Sequence, residues 1–496
     1  MTWGDLLRGL RTVPTTSVDT ALAARRVASI AYDSRAVVAG SVFVALKGAK
    51  ADGARFAAEA VRRGALAIVA EGPAPADAPS DVPWIAVADA RAALAELAAV
   101  FYGRPSEHLT LVGVTGTNGK TTTTYLLAAI FEAAGIPCGR IGTVNVKVGD
   151  EERDAARTTP EAPDVQRLLH EMVERGLGAC AMEVSSHALA LRRADELRFA
   201  AGIFSNLTRD HLDFHGDMEH YFAAKRRLFE MLPEGAPAII NLDDPRGTDL
   251  AATVRRPVTY AIDRAADITP GPLEYTLDGL SFDLQTPRGT LHIESPLVGR
   301  PNAYNVIAAA ATAVALDMPF DVIERGLARL AAVPGRFEVV SGASDEVRVV
   351  VDYAHTDDAL KNLLETARPL AGGRLITVFG CGGDRDTTKR PLMGAVAARL
   401  SDLVIVTSDN PRSEDPLRII ADIRRGMTRE VGEVIEEPDR RKAIDRAVAA
   451  ARPGDLVLIA GKGHEKYQIV GDRTLPFDDI AVATEALSRR RARPKV

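Results

Sequence analysis

The chain is organised around residues 109–127, which read Leu-Thr-Leu-Val-Gly-Val-Thr-Gly-Thr-Asn-Gly-Lys-Thr-Thr-Thr-Thr-Tyr-Leu-Leu. Residues 109–114 form a short apolar run of β-type side chains, and such a run predicts a buried strand. The glycines at 116 and 119 interrupt that run, and an amphipathic segment begins at Lys120. The stretch therefore predicts a strand, a tight loop and a helix in immediate succession.

A loop of this composition suits the phosphates of a nucleotide. Gly116 and Gly119 let the backbone approach an anion, and the free N–H groups of the following helix point towards that anion. Lys120 can reach the outer phosphates, and the hydroxyl of Thr121 stands where such loops hold Mg²⁺. The strict pattern requires glycine at position 114, where this chain has Val114, so the loop is a variant. We predict an ATP site, and the alternative is an ordinary strand-to-helix turn.

Composition limits the class of protein. A length of 496 residues predicts about three domains, and 46% hydrophobic with 26% charged residues is typical of a globular protein. The net charge of -6 gives no reason to expect nucleic acid or a membrane surface as a partner. The three cysteines are far apart and odd in number, as in a reduced compartment. Without an apolar run of membrane-spanning length or a signal-like start, the sequence predicts a cytoplasmic enzyme.

Alternation of short apolar runs with amphipathic segments predicts an α/β protein of three domains. Residues 1–88 form a small α/β N-terminal domain. Residues 89–333 form a central P-loop domain with a doubly wound, mostly parallel sheet and a small antiparallel sheet appended, and residues 334–496 form a C-terminal Rossmann-like α/β domain. The central strands are predicted at residues 109–114, 139–146, 178–184, 199–205 and 238–242. Ligands collect at the carboxyl ends of strands in such sheets.

Two polar groups follow strands of the central domain. Glu183 closes an apolar strand, where a carboxylate is costly unless it is paired or binds a cation, so we predict a metal ligand. His211 follows the strand at 199–205, and for this residue a ligand and an ordinary histidine are equally compatible with the sequence.

Lys225 lies in the middle of the apolar face of a predicted helix at residues 218–232. A bare ammonium there would lose its hydration, so Lys225 is snorkelling, paired or chemically converted. The sequence by itself favours snorkelling.

Further polar residues allow two interpretations each. Ser34 follows a strand and could hold a ligand's phosphate or sugar, although turn chemistry explains it more simply. Asn302 and Asn305 open a helix and could read an adenine edge or act as caps. In the C-terminal domain every strand end carries a polar cluster, which together predict a ligand site. These clusters are residues 352–356, 380–386 with Lys389 and Arg390, 409–412 and 461–465.

These motifs together resemble the Mur ligases of peptidoglycan synthesis. The matching motifs are Gly-Thr-Asn-Gly-Lys-Thr-Thr at 116–122, Met-Glu-Val-Ser-Ser-His at 182–187, Asn-Leu-Thr-Arg-Asp-His at 206–211, Tyr-Phe-Ala-Ala-Lys at 221–225, Pro-Gly-Arg at 334–336 and Asp-Tyr-Ala-His at 352–355. They span nearly all of the chain. Within the family, Asp-Asn-Pro-Arg at 409–412 with Gly-Lys-Gly-His-Glu at 461–465 is the signature of the member that adds meso-2,6-diaminopimelate to UDP-N-acetylmuramoyl-L-alanyl-D-glutamate.

The resemblance implies a role for each matching residue. ATP would be bound by Gly116, Thr117, Asn118, Gly119, Lys120, Thr121 and Thr122, joined by Asn302 and Asn305 if these read the adenine. Mg²⁺ would be held by Thr121, Glu183, His211 and Lys225, the last as a CO₂-derived carbamate, and the catalytic set would be Lys120, Lys225, Glu183, His211 and Arg336. The UDP group would lie along Ser34, Ala49, Lys50 and Ala51, and the muramoyl-dipeptide would contact Thr158, Thr159, Ser185 and Arg193. Diaminopimelate would be received by Arg390, Asp409, Asn410, Pro411, Arg412, Gly461 and Glu465. The protein would act as a monomer on these small molecules, with neither nucleic acid nor membrane as partner.

Diaminopimelate differs from lysine by one carboxylate, which a guanidinium such as Arg412 can bind through two parallel hydrogen bonds. Leaving Arg412 unpaired over lysine would cost on the order of 2 to 4 kcal/mol. Three positions depart from the pattern of the family, namely Arg157, Leu191 and Asp357. The alternatives are a lysine-adding relative, a folylpolyglutamate synthase and a binding protein that uses ATP as a switch.

Overall fold

Three separate sheets, each built mainly of parallel strands, organise the chain in the computed structural model, which describes residues 1–10, 20–48, 51–342, 345–427 and 432–492. The predicted fold class is therefore confirmed. Strands that are buried on both faces read as near-continuous apolar runs, because helices cover both sides of a parallel sheet. Within the described residues, none of the helices combines the length and the apolar character needed to cross a bilayer.

The first sheet is parallel and has the order β1-β2-β3-β4. Its second strand, Ser41–Ala45, is buried throughout, with apolar clusters on both of its faces. The strands are β1 (Ser29–Ala31), β2 (Ser41–Ala45), β3 (Ala67–Glu71) and β4 (Trp84–Val87), and the helices are α1 (Trp3–Arg8), α2 (Thr20–Ala23), α3 (Ala57–Arg62) and α4 (Ala90–Phe101).

The second sheet has eight strands in the order β12-β11-β10-β5-β9-β6-β7-β8, and its neighbouring strands are parallel except that β7 is antiparallel to both β6 and β8. The strands are β5 (Thr110–Thr115), β6 (Cys138–Ile141), β7 (Asn145–Val148), β8 (Glu151–Asp154), β9 (Ala179–Glu183), β10 (Ala201–Phe204), β11 (Ala238–Asn241) and β12 (Pro257–Tyr260). The helices are α5 (Lys120–Ala133), α6 (Ala162–Glu174), α7 (Ser186–Ala190), α8 (Leu212–His215), α9 (Met218–Glu230), α10 (Pro245–Ala251), α11 (Arg300–Ala315) and α12 (Phe320–Arg329).

A smaller antiparallel sheet is appended to this unit, as the sequence predicted. It consists of β13 (Thr269–Pro270), β14 (Glu274–Thr276), β15 (Gly279–Thr286) and β16 (Gly289–Ser295). The alternating burial of β15 and β16 shows one face packed on the core and the other facing solvent, which is usual for antiparallel strands.

The prediction of a single strand at residues 139–146 is wrong. Strand β6 ends at Ile141, the chain reverses at residues 142–144, and β7 returns antiparallel with Ile141 opposite Val146. Burial explains the error, because both strands of the hairpin contribute apolar side chains and together imitate one continuous run. The reversal places residues 142–144 beside the carboxyl end of β9.

The third sheet has the order β17-β18-β22-β19-β20-β21, in which only β17 is antiparallel to its neighbour among the described strands. Its strands are β17 (Glu338–Val339), β18 (Arg348–Asp352), β19 (Leu375–Phe379), β20 (Leu403–Val406), β21 (Glu433–Glu436) and β22 (Leu456–Ala460), followed by a hairpin of β23 (Tyr467–Val470) and β24 (Arg473–Pro476). The helices are α13 (Asp357–Ala367), α14 (Lys389–Leu400), α15 (Pro416–Arg424), α16 (Arg440–Ala450) and α17 (Asp479–Arg491). The four polar clusters predicted at strand ends therefore share one edge of this sheet.

Candidate active site

A cavity of about 300 Å³ lies at the carboxyl end of β5, between the second and third sheets. Its walls come from the loop before α5, from the ends of β9 and β18, and from helices α9, α11 and α13. Predicted site residues that line it are Gly116, Thr117, Asn118, Gly119, Lys120, Thr121, Thr122, Thr158, Glu183, Ser185, His211, Lys225, Asn302, Asn305 and Arg336. Side chains from distant parts of the sequence thus meet around one space.

The loop between β5 and α5 has a conformation that its glycines permit. Gly119 precedes the first residue of α5 with φ of 89°, and a Cβ there would lie 2.3 Å from Oδ1 of Asn305. A Cβ on Gly116 would lie 1.9 Å from Oγ of Ser205, so neither position accepts a side chain without rearrangement. Lys120 folds back over this loop, and its Nζ donates to the carbonyl oxygens of Gly116 at 2.9 Å and Thr117 at 2.8 Å. The loop therefore presents Lys120 and the first turn of α5 to the cavity.

Lys225 is 1% exposed and does not reach solvent, so the snorkelling interpretation is wrong. Its Nζ donates to the carbonyl oxygen of Gly116 at 2.7 Å and lies 4.5 Å from the centre of the Tyr221 ring. Burial lowers the pKa of Lys225 well below its usual value, and the nearby charge of Lys120 acts in the same direction. Lys225 therefore places an amine with a strong tendency to be neutral inside the cavity.

Glu183 is 1% exposed and is oriented by one residue of the β6–β7 turn. Its Oε1 accepts the backbone N–H of Thr143 at 2.8 Å, and its Oε2 accepts the hydroxyl of Thr143 at 2.9 Å. Because the Thr143 hydroxyl donates to Glu183, its 3.0 Å contact with the Thr158 hydroxyl requires Thr158 to be the donor. Each carboxylate oxygen of Glu183 keeps a lone pair for a further partner.

His211 and Arg336 complete the wall of the cavity. Nε2 of His211 lies 3.3 Å from Oδ2 of Asp210, and its ring packs edge-on against His187 with 4.8 Å between centres. The pKa of His211 is lowered to about 4, mainly because burial removes the hydration of the charged ring. The imidazole is therefore neutral at pH 7. Arg336 Nη2 donates to the hydroxyl of Thr121 at 3.3 Å and thereby joins the third-sheet unit to the first turn of α5.

Oxygen donors in this cavity fit a hard divalent cation. The hydroxyl of Thr121 and the carboxylate of Glu183 are both buried and both line the space. Across the described residues, no group of three or more His, Cys, Asp and Glu side chains is arranged to hold a metal ion. Mg²⁺ keeps several waters and takes substrate phosphates as ligands, so one or two protein carboxylates and a hydroxyl suffice.

The residues predicted to contact the muramoyl-dipeptide form a connected group beside Glu183. The hydroxyl of Thr159 donates to the carbonyl oxygen of Glu183 at 2.9 Å and accepts the backbone N–H of Ser185 at 3.1 Å. Arg193 Nη1 donates to the carbonyl oxygen of Thr159 at 3.2 Å, and its Nη2 lies 2.9 Å from Oε1 of Glu161. A cationic side chain thus stands next to two hydroxyls and the buried carboxylate.

A second polar group lies at the carboxyl edge of the third sheet. Oε2 of Glu465 accepts from Nδ2 of Asn410 and from Nζ of Lys462, each at 2.9 Å. Arg412 Nη1 donates to the carbonyl oxygen of Gly383 at 2.7 Å, and the other nitrogens of this guanidinium make no hydrogen bond within the described residues. Its backbone is in the left-handed region with φ of 52° and is held by hydrogen bonds to β23 and to the turn after it. Strain of this kind in a non-glycine residue is concentrated at functional sites.

Comparison with known proteins agrees with this geometry. Three family profiles match consecutive parts of the chain: "Mur ligase family, catalytic domain" at residues 26–102, "Mur ligase middle domain" at 114–313 and "Mur ligase, glutamate ligase domain" at 335–463. The chain belongs to the Mur ligase family. A protein of Solibacter usitatus named UDP-N-acetylmuramoyl-L-alanyl-D-glutamate--2,6-diaminopimelate ligase is 50% identical over 470 residues, covering 94% of each chain.

Two further relatives of this Mur ligase carry the same name. The protein of Gloeobacter violaceus is 48% identical over 467 residues, covering 94% of this chain and 95% of its own. A solved structure described as UDP-N-acetylmuramoyl-L-alanyl-D-glutamate--2,6-diaminopimelate ligase is 32% identical, with a TM-score of 0.71, and the match covers 99% of this chain and 100% of that one. The likeness therefore extends over all three units of the fold.

Several predicted site residues of the Mur ligase lie outside the cavity and are bonded to other protein groups. The guanidinium of Arg390 is 1% exposed and is paired with Glu414 at 2.8 Å and Asp422 at 3.0 Å, so its charge is already balanced by this protein. The hydroxyl of Ser34 donates to Glu59 at 2.9 Å, while the neighbouring Asp33 caps a 3₁₀ turn as turn chemistry predicts. None of these three side chains lines the cavity.

The remaining predictions of binding residues lie as follows. Ala49 and Lys50 fall outside the described residues, and the carbonyl oxygen of Ala51 accepts the N–H of Gly48 at 2.9 Å. The capping interpretation of Asn302 and Asn305 is wrong, because helix α11 begins after Gly299 without a side-chain cap. Nδ2 of Asn302 instead donates to the carbonyl oxygen of Val298, and Nδ2 of Asn305 donates to Oδ1 of Asn302. Asp409 and Pro411 are buried next to Asn410, and a Cβ on Gly461 would lie 2.8 Å from Oδ2 of Asp409.

Sequence reasoning missed two residues that orient members of the site. Thr143 was hidden inside the strand predicted at 139–146, although the isolated Gly142 within that strand pattern indicates a break or a close backbone approach and could have revealed it. Lys462 was quoted within the cluster at 461–465 without a role. It is 0% exposed, and its ammonium is balanced by Glu465.

Proposed function

We propose that this Mur ligase adds meso-2,6-diaminopimelate to the D-glutamate side-chain carboxylate of UDP-N-acetylmuramoyl-L-alanyl-D-glutamate, with cleavage of ATP to ADP and phosphate. The observation that carries the proposal is the meeting of the Gly116–Lys120 loop, Glu183 and Lys225 around one cavity that Arg336 closes from the third-sheet unit. The relatives that are 48–50% identical over nearly the whole chain support the choice of substrates.

Amide formation in water is uphill, so the carboxylate must first be activated. The γ-phosphoryl group passes to the D-glutamate carboxylate, which breaks its bond to the β-phosphate and gives an acyl phosphate with ADP as leaving group. Lys120, together with the N–H groups at the start of α5, balances the phosphate charge as it moves, and Arg336 approaches the same region from the other wall. The amine of diaminopimelate then attacks the acyl carbon, and phosphate leaves.

Mg²⁺ would be held by Thr121, Glu183, His211 and Lys225 in carbamate form, and when bound it supplies positive charge to the phosphate oxygens. Thr143 fixes the orientation of the Glu183 carboxylate by two hydrogen bonds. Lys225 suits carbamate formation because a buried amine with a lowered pKa is neutral and can attack CO₂. Loss of one proton then leaves an anion where the bare chain has a desolvated amine.

Arg412 and Glu465 select the amino acid. The side of the Arg412 guanidinium that makes no hydrogen bond offers parallel N–H donors to the carboxylate of diaminopimelate that lysine lacks. The Glu465 carboxylate attracts the ammonium group of diaminopimelate that is next to this carboxylate. Asn410 contacts Glu465 and lies two residues from Arg412, so it holds the two recognition elements together. Arg390 supports this rim through Glu414, which also accepts the N–H of Asp384.

The proposal extends to the remaining parts of the chain. Residues 1–88 bind the UDP group, with Ser34 and residues 49–51 along it, residues 89–333 bind ATP, and residues 334–496 bind the amino acid. Thr158, Thr159, Ser185 and Arg193 hold the muramoyl-dipeptide next to Glu183. The enzyme works in the cytoplasm as a monomer on soluble precursors of peptidoglycan.

A coupled ADP-release assay tests the reaction. We expect ADP only when the UDP-dipeptide and diaminopimelate are both present, and on the order of 30-fold or more lower kcat/KM with lysine or ornithine, because Arg412 then stays unpaired. ADP release at the same rate without either co-reactant would show an ATP switch or hydrolase instead. Equal rates with lysine would contradict the role of Arg412.

The carbamate has its own test in Lys225→Ala. We expect turnover to fall by at least about a thousandfold and to recover in part with a short carboxylic acid, which replaces the missing anion. Arg226→Ala, on the exposed neighbour in α9, is the matched control and retains activity. In parallel, ¹³C-bicarbonate should give a protein-bound carbamate signal in the NMR spectrum of the parent enzyme that is missing in Lys225→Ala. Unchanged turnover in Lys225→Ala would remove the carbamate from the mechanism.

A further inference from the structure

A fully buried ion pair lies beneath the carboxyl edge of the third sheet, below the segments that carry Arg412 and Glu465. Arg440 and Asp479 are the first residues of α16 and α17, and the side chains of both are 0% exposed. Nε of Arg440 donates to Oδ1 of Asp479 at 2.8 Å, and Nη2 donates to Oδ2 at 2.7 Å. Burying two charges is costly, so a pair of this kind needs further hydrogen bonds or a functional reason to persist.

The same guanidinium reaches two backbone carbonyls at the strand ends. Nη1 of Arg440 donates to the carbonyl oxygen of Ser408 at 3.3 Å, and Nη2 donates to that of Ala460 at 3.0 Å. Ser408 immediately precedes Asp409, and Ala460 immediately precedes Gly461. Arg440 therefore ties together the starting points of the two segments that carry Arg412 and Glu465.

The charge of Arg440 also faces these segments. Burial lowers its pKa, but Asp479 outweighs this effect and raises the pKa above its usual value, with smaller contributions from Asp409 and Glu465. Asp479 thus balances the charge of the guanidinium and fixes its planar group, while the guanidinium sets the spacing between the ends of β20 and β22. A lysine could retain the charge, but the three donors of an ammonium radiate from one nitrogen and cannot reproduce the four hydrogen bonds that the planar guanidinium makes.

We propose that Arg440, held by Asp479, is a positioning residue that sets the distance between Arg412 and Glu465 and thereby the affinity for the amino-acid substrate. The inference rests on the proposed function, because it concerns the same amino-acid site. It assigns no contact with substrate to Arg440, whose side chain is closed off from solvent. Its effect reaches the ligand only through the loops at 409–412 and 461–465.

The test is Arg440→Lys, assayed for all three substrates. A misplacement of recognition groups by about 1 Å is enough to raise KM for diaminopimelate about tenfold or more, whereas KM for ATP and for the UDP-dipeptide stays within about twofold. The matched control is Arg374→Lys, which weakens the Arg374–Asp455 pair at the amino ends of β19 and β22, on the opposite edge of the same sheet. This control should lower stability without a selective change in KM for diaminopimelate.

The outcomes separate this inference from the proposed function. If the parent enzyme itself shows no diaminopimelate-dependent ADP release, the proposed function fails, whatever Arg440 does. If the parent enzyme is active and Arg440→Lys leaves KM for diaminopimelate unchanged, or raises all three KM values alike, the positioning role is overturned. Should Arg440→Lys not fold, Asp479→Asn replaces it, with a smaller but equally selective rise expected and its absence equally decisive.

Discussion

Thr143 shows how a single side chain can set the chemistry of a cavity. Its hydroxyl and backbone N–H both donate to Glu183, and Thr158 donates to Thr143 in turn. In Thr143→Val the hydroxyl donor is lost while the shape is kept, so we expect kcat/KM to fall about tenfold or more, as for loss of one hydrogen bond to a charged group. Steady-state kinetics measures the change. Thr143→Ser retains the hydroxyl and should stay close to the parent enzyme; equal losses in both variants would contradict this role.

At the residue level, the sequence identified which side chains need a partner, but not which groups provide the hydrogen bond or the opposite charge. The mismatch between Lys225 and its apolar helix face was visible in the sequence, but the hydrogen-bond partner of its amine was not, because Gly116 is 109 positions away. For the same reason the sequence could not show that Glu414 and Asp422 balance the charge of Arg390, and the contact of Arg390 with substrate stays a prediction. Residue type and local pattern indicate that a charge needs a partner, but only the folded chain shows which group provides it.

The β6–β7 hairpin illustrates the element scale, because its turn delivers Thr143 to Glu183. A Cβ on Gly142 would lie 2.4 Å from Oε1 of Glu183, so Gly142→Ala must displace the carboxylate end. We expect catalytic activity to fall at least about tenfold, because the Glu183 carboxylate is displaced. The melting temperature should change by only a few degrees, because the Glu183 side chain can move aside while the backbone stays in place. Circular dichroism and the ADP-release assay measure the two effects.

The neighbouring β7–β8 turn supplies the control for this prediction. A Cβ on Gly149 would meet nothing within 4 Å, although its φ of 63° is unfavourable for alanine. Gly149→Ala should therefore cost about 1 kcal/mol of stability and leave kcat unaltered. If Gly142→Ala were as active as Gly149→Ala, the close approach of the turn to Glu183 would have no catalytic consequence.

Strands with one clear hydrophobic pattern were predicted well. Strands β19 and β22 end directly before the polar clusters at 380–386 and 461–465, as expected, and both are almost entirely apolar because strands of a parallel sheet are buried on both faces. The hairpin at β6 and β7 was missed because a buried strand and a half-buried strand on either side of a short turn have the same composition as one longer strand. The direction in which the chain turns depends on the segment that packs against the turn, here the end of β9. The local sequence pattern carries no information about that segment.

For the whole molecule, the order of three α/β units was predictable, but the contacts between them were not. Arg336 meets Thr121 across 215 positions, and Asn118 Nδ2 donates to Oδ2 of Asp358 at 3.2 Å across 240. Each of these contacts joins a loop residue to the first turn of a helix in the other unit, and no spacing rule foresees such a pairing. Both of these contacts are polar, and each such bond contributes only about 0.5 to 1.5 kcal/mol.

An interface of this kind permits the third-sheet unit to move, and we predict that ligands hold it closed. ATP places negative charge between the loop before α5 and Arg336, which adds attraction only in the closed arrangement and shifts the population towards it. Small-angle scattering should therefore give a smaller radius of gyration with a non-hydrolysable ATP analogue and the UDP-dipeptide than without ligands. Arg336→Gln should show less compaction at saturating ligand, whereas Arg348→Gln, a change away from the cavity, should compact like the parent enzyme. An unchanged radius in the parent enzyme, or full compaction in Arg336→Gln, would mean that ligand charge does not drive closure.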